Sequence, residues 1–98
     1  MRELRFEWDP TKDIASRHSH GVSFAEAQTV FSDELARFKH DPDHSDDEDR
    51  FLLLGLSSVL RLLVVCHGYR KNDEVIRIIS ARKATRKEQR QYNQGWKK

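Results

Sequence analysis

Apolar and polar residues alternate at the start of the chain. Leu4-Arg-Phe-Glu-Trp8 has the period of a strand with one covered face. Asp9-Pro10 follows as a helix start, because Asp can accept from unpaired first-turn N–H groups and Pro suits the first helical position. A helix is predicted to about His18, stopped at His20-Gly21, where glycine supplies a left-handed turn. Ser23-Phe-Ala-Glu26 has capping-box spacing and predicts a second helix to about Phe31, with Phe24, Ala27 and Phe31 on one face.

Leu35 to His40 reads as a strand. Asp41 to Asp49 is an acidic tract with no large apolar residue to bury, and reads as a loop. Strands follow at Arg50–Leu56, Leu60–His67 and Glu74–Ala81, the last two joined by the polar connection Gly68–Asp73. Thr85-Arg-Lys-Glu88 is a second capping box, opening a basic helix to about Gln94 with Gly95 as its stop. The order predicts one α+β domain over residues 1–98: an antiparallel sheet with two N-terminal helices and a C-terminal helix, the helices on one side.

Period-2 alternation then assigns faces. In the strand from Leu60, the residues Leu62, Val64 and Cys66 form a wholly apolar side that reads as core. Arg61, Leu63, Val65 and His67 form the other, which reads as the open, functional side. In Glu74–Ala81, Arg77 shares a side with Val75, Ile79 and Ala81. A lone guanidinium in an apolar strand must meet water, a carboxylate or an anion. An ion pair with the acidic loop, Glu7 or Glu74 is one reading, and a phosphate held by the Arg fork is the other. If His67 lies opposite Val75, then Arg61, His67 and Arg77 share one surface. A slip of one residue moves Arg77 to the core side.

Composition narrows the function classes. With 37% hydrophobic and 35% charged residues, two Trp and five Phe, the 98-residue chain is polar but has the means to form a core. One cysteine, Cys66, points to a reducing compartment and a cytoplasmic location. No apolar leader and no run long enough to span a bilayer is expected. The net charge of +2 conceals a split. Residues 1–60 carry 7 Lys/Arg against 13 Asp/Glu, and residues 61–98 carry 11 against 3. The basic half suits a polyanion, although two solvated halves that neutralise each other would show the same split.

Metal-free RNA cleavage needs a base for the ribose 2′-hydroxyl, cations for the charge on phosphorus, and an acid for the leaving 5′-oxygen. Arg77, Arg82 and Arg61 can supply the cations. His67, Glu74 or Tyr92 can supply the proton transfers. Lys83, Arg86, Lys87 and Arg90 surround a helix start, where N–H groups and dipole favour an anion, and Tyr92 and Trp96 can stack on bases or pack against the sheet. The acidic tract lacks the glycine and terminal Glu spacing of an EF-hand, and the histidines with one cysteine form no zinc pattern, so no metal or cofactor is expected.

Phe6-Glu-Trp-Asp9, Lys12, and His20-Gly-Val-Ser-Phe24 with Glu26, Ala27 and Val30-Phe31 resemble the opening of BrnT toxins. Asp41-Pro-Asp-His-Ser45 with Arg50-Phe-Leu-Leu-Leu-Gly55 resembles their middle. Arg77-Ile-Ile-Ser-Ala-Arg-Lys-Ala84 with Glu88, Arg90 and Tyr92 resembles their end. The resemblance implies a RelE-like fold and an endoribonuclease that halts translation. It further implies neutralisation by a BrnA-type antitoxin whose DNA-binding domain represses the operon, with two toxin–antitoxin pairs in a heterotetramer. It points to Arg77 and Arg82 first as site residues, then to Glu74 and His67. Ser19 stands where the family commonly has Lys, and the loop Gly68–Asp73 departs from the family. The residues themselves also allow a non-catalytic nucleic-acid-binding module or a protein-interaction domain.

Overall fold

A computed structural model of the chain describes residues 4–41 and 49–94. The acidic tract from 42 to 48, the helix stop at Gly95 and Trp96 lie outside the described residues. The elements are β1 (Arg5–Glu7), α1 (Pro10–His20), α2 (Phe24–Thr29) continuing into a 3-10 turn (Val30–Ser32), β2 (Arg37–His40), β3 (Phe51–Leu56), β4 (Leu62–Arg70), β5 (Val75–Lys83) and α3 (Arg86–Gln94). Among the described residues no helix is long and apolar enough to cross a membrane.

The caps form as the sequence dictates. The Asp9 carboxylate accepts from Thr11 N–H at 2.8 Å, and α1 ends at Gly21 with φ of 67°. Ser23 Oγ accepts from Glu26 N–H at 3.0 Å. At α3, Thr85 and Glu88 exchange both bonds of the capping box, at 2.9 and 3.2 Å. The β4–β5 hairpin turns through Lys71, Asn72 and Asp73, all with positive φ, so both strands run longer than the polar connection suggested.

β2 to β5 form the expected antiparallel meander, in the sheet order β1-β5-β4-β3-β2. The sheet is nevertheless mixed, because β1 pairs parallel with β5, with Phe6 opposite Ile76. A short hairpin forces antiparallel neighbours. Two helices separate β1 from the meander, so its direction is not tied to it, and it takes the free edge of β5.

The α1–α2 layer covers one face, where Val22, Phe24, Ala27 and Val30 meet Leu53, Leu63, Val65, Ile78 and Ala81. This reverses the expected assignment: the Leu63/Val65/His67 side of β4 is the one the helices cover. Val64 and Cys66, on the other side, are also buried. Apolar residues on both faces made the alternation ambiguous, and Arg61 precedes β4 rather than marking one of its faces. Gly55 is required where the helical layer meets β3. A Cβ there would come within 2.7 Å of Val30 Cγ1.

β5 carries an irregularity. Cys66 lies opposite Ser80, but His67 lies opposite Ile78, so β5 has one extra residue. Regular alternation would place residues 78 and 81 on opposite faces. The bulge is what lets Ile78 and Ala81 enter the same core.

Arg61 ties the helical layer to the β3–β4 turn. Its Nε donates to Glu26 Oε2 at 3.0 Å and its Nη2 donates to Glu26 Oε1 and, at 2.9 Å, to the Gly21 carbonyl. Ser57 Oγ donates to the same Glu26 carboxylate at 2.7 Å. The Arg61 hydrogen bonds come first among the causes that hold the Glu26 carboxyl below its ordinary range, against the opposing effect of burial. Removing one partner of a buried pair costs about 3–5 kcal/mol, and exposed pairs contribute under about 1 kcal/mol. The Arg61 side chain is one-third exposed. Arg61→Ala is therefore expected to destabilise the fold by about 1–3 kcal/mol, seen as a lower urea midpoint with an unchanged slope. An unshifted midpoint would mean that the clamp carries no net stability.

Candidate functional site

The bulge decides where the arginines of β5 face. Gly68 lies opposite Arg77 and Val64 opposite Arg82. Val64 and Gly68 alternate onto the same side of β4, so Arg77 and Arg82 share one face. That face is the one opposite α1 and α2. Five residues apart, their Cα atoms are spaced on the order of 15 Å along the strand.

Arg77 meets Glu7, its neighbour across the parallel pair, with Nη1 donating to Glu7 Oε2 at 2.8 Å. Arg70 approaches the same oxygen at 3.7 Å. Of the two readings of Arg77, the ion pair is the contact formed. Among the described contacts it uses Nη1 alone, and the side chain is 31% exposed. Arg82 is committed further. Its Nη1 and Nη2 donate to the two Glu88 oxygens at 2.7 and 2.9 Å. Those hydrogen bonds, with the Thr85 N–H, hold the Glu88 carboxyl down at about 2 despite burial. Arg82 thus fastens the capping box of α3 to the end of β5, and an incoming phosphate must compete with a bidentate carboxylate.

His67 is sealed away from Arg77. It lies opposite Ile78 rather than Val75, so the two side chains point to opposite faces. It is 0% exposed. Phe31, Phe38, Phe51 and Tyr69 surround its ring with centroids 4.8 to 6.1 Å away. Nδ1 sits 3.2 Å from the Val65 carbonyl. A carbonyl only accepts, so this nitrogen carries the proton, and Nε2 accepts from Tyr69 Oη at 3.4 Å. Burial lowers the imidazole pKa, with the Val65 bond opposing that shift, and the ring is held neutral. The placement of His67 beside Arg61 and Arg77 on an open face is thereby corrected: Arg61 is the Glu26 clamp, and His67 is a core residue.

Glu74 belongs to the hairpin turn rather than to β5, and faces Arg5 at 3.5 Å with both side chains about half exposed or more. Lys83, Arg86, Lys87 and Arg90 are exposed, as a polyanion contact requires. Tyr92 is not free to stack. Its hydroxyl donates to Asp33 Oδ2 at 2.7 Å, and its carbonyl accepts from Arg37 Nε at 2.9 Å, so it pins α3 to the region around β2. Burial favours the neutral form of Asp33, but the Leu56 N–H, the Tyr92 hydroxyl and the Leu35 N–H together hold it below its ordinary range.

Two concavities adjoin these elements. One of about 490 Å³ is lined by Asp49, Phe51, Tyr69 and Asp73, beside the His67 cluster. The other, of about 200 Å³, runs between α1 and β5 and includes Lys12, Ser19, His20 and Ser80 in its walls. Sequence reasoning reads His20 as part of a helix stop and of the family-like segment His20-Gly-Val-Ser-Phe24, and assigns it no chemical role. The register of α1 against β5, invisible in the chain, is what gives it a groove. Among the described residues, no three His, Cys, Asp or Glu side chains lie together as a metal site.

The environment of His67 has a sign that can be tested. A histidine whose folded pKa is depressed binds fewer protons than in the unfolded chain, so stability is lost as pH falls below the ordinary value of 6.5. The urea midpoint is expected to decline between pH 6.5 and 5, with part of that decline absent in His67→Phe. The same slope in both proteins would show that His67 does not resist protonation.

Comparison with known proteins agrees with this architecture. The family model described as the ribonuclease toxin BrnT of type II toxin–antitoxin systems matches residues 8–88. The chain is similar to the 1.1 Å crystal structure of the Brucella abortus ribonuclease toxin BrnT, with a TM-score of 0.62 and 23% identity over 86% of this chain and all of that one. At that identity the likeness speaks for the fold. No curated protein sequence matches. Because the family model runs from Trp8 to Glu88, across both helices of the core layer and strands β2 to β5 with their bulge, the chain belongs to the BrnT family of ribonuclease toxins of type II toxin–antitoxin systems.

Proposed function

We propose that this protein is a RelE-like endoribonuclease toxin of the cytoplasm. In this reading it cleaves RNA without a metal and so inhibits translation. A BrnA-type antitoxin neutralises it in a complex of two toxins and two antitoxins, which touches DNA only through the antitoxin. Family membership supports the ribonuclease and antitoxin parts. The observation that carries the assignment to a surface is the bulge, which turns Arg77 and Arg82 onto one face of β5, at whose end the exposed cations Arg86 and Lys87 of α3 follow.

On this surface, phosphates of RNA replace water around guanidinium and ammonium groups. Arg77 is the group best suited to hold one of those phosphates and so anchor the RNA. Glu7 orients it through one nitrogen and leaves the rest of the fork to a phosphate. Arg82 acts chiefly as a positioning residue, through Glu88 and the start of α3. His67 has no catalytic part in this scheme.

Arg77→Ala is expected to weaken RNA binding and lower cleavage about 10-fold or more, and to abolish growth arrest on induced expression, with the fold retained by circular dichroism. His67→Phe, where folded, is expected to stay toxic. A folded Arg77→Ala that arrests growth like the parent removes Arg77 from the site. A harmless parent chain favours the protein-interaction reading.

A further inference from the structure

With His67 sealed and neutral, the proton-transfer group of the reaction is still to be found. We propose that it is His20, and that the groove between α1 and β5 is where single-stranded RNA lies. This rests on the ribonuclease reading given above.

The groove is bounded on one side by the exposed Lys12, Ser19 and His20, on the other by Ile79 and Ser80, with the buried Phe24 contributing to its wall. The strand side is an open edge. β1 pairs with β5 only from Val75 to Arg77, so among the described residues no strand covers β5 beyond that point. Ser16 Oγ donates to the Val22 carbonyl at 2.7 Å and lies 3.3 Å from the Ala81 carbonyl, so α1 packs directly against this edge.

The ends of the groove differ. His20 is the last residue of α1, and the carbonyl of the next residue, Gly21, is held by Arg61 just before β4. There Leu63 lies opposite Lys83, whose charge acts on Glu26, the carboxylate that Arg61 clamps, so the exposed Lys83 stands toward the His20 end. Lys12 stands eight residues earlier, about 12 Å along the helix axis. It is too far to share a phosphate with His20 and suitably placed for a neighbouring one. An imidazole beside a cation at one end, a second cation at the other, and a largely apolar wall between them suit a short stretch of ribose-phosphate backbone with a base against the wall.

In the reaction, a ring nitrogen of His20 takes the proton of the ribose 2′-hydroxyl. The 2′-oxygen bonds to phosphorus, the bond to the 5′-oxygen breaks, and that oxygen takes a proton from water, whose hydroxide discharges the imidazolium. The products are a 2′,3′-cyclic phosphate and a 5′-hydroxyl end. Protons balance and no co-reactant is consumed. Lys83 meets the charge on the reacting phosphate, and Lys12 holds its neighbour.

The test uses the whole purified chain and a labelled single-stranded RNA oligonucleotide. His20→Ala is expected to lower kcat about 100-fold or more, with KM little changed and partial recovery in added imidazole. Lys12→Gln is expected instead to raise KM, with a weaker salt dependence. Both variants are checked for parental circular dichroism and urea midpoint, and His20→Gln replaces His20→Ala if the latter fails to fold. A folded His20 variant with kcat within about threefold of the parent overturns the proposal, as does a loss that imidazole does not restore in His20→Ala. If the parent cleaves RNA, only the groove assignment fails in those cases. If the parent cleaves none, both this proposal and the ribonuclease reading of this chain fall.

Discussion

One extra residue in β5 organises this molecule. Without the break between Ser80 and Ile78, alternation would send Ile78 and Ala81 to opposite faces of the sheet. The helical layer would lose part of its contact surface, and Arg77 and Arg82 would be separated by the thickness of the sheet. The bulge solves both requirements together. It costs an interruption of the ladder, which the long β4–β5 pairing on either side can absorb.

The helical layer imposes a second constraint. Its face of the sheet holds a histidine that is wholly enclosed by aromatic rings, and such a residue is tolerable only as the neutral imidazole with both nitrogens satisfied. The Val65 carbonyl and the Tyr69 hydroxyl meet that demand from within the same strand. The arrangement trades chemical usefulness for packing, because a ring with both nitrogens occupied and no exposed surface cannot reach RNA.

The charged groups divide by how fully they are spent. Arg61 is consumed by Glu26 and a helix-terminal carbonyl, and Arg82 by both oxygens of Glu88. Each joins two elements: the α1–α2 corner to the β3–β4 turn, and α3 to β5. Arg77 gives one nitrogen to Glu7, and the exposed Arg86 and Lys87 add positive charge beyond the end of its strand, while Lys83 faces the helical side. The excess positive charge of the C-terminal half is thus partly architecture and partly free surface, and only the latter is available to a polyanion.

The sequence by itself determined every element whose cause is local. Asp9, Ser23 and Thr85 cap helices because the accepting oxygen and the donating N–H lie within three residues of each other. Gly21 ends α1 because a left-handed turn needs it there. The meander from β2 to β5 was legible for the same reason, since short connections leave antiparallel pairing as the only solution. The tertiary structure decided whatever depends on distant partners. Both faces of β4 are apolar, so the side taken by the helices was settled by packing and not by pattern. β1 found the edge of β5 across two helices, and the register at Cys66 and His67 was set by a bulge with no marker in the chain. Arg77, Arg82 and the basic helix start were therefore readable as candidate residues, but their common face was not. The enclosure of His67, the clamp at Arg61 and the groove beside His20 all follow from contacts between residues tens of positions apart, which composition and periodicity do not encode.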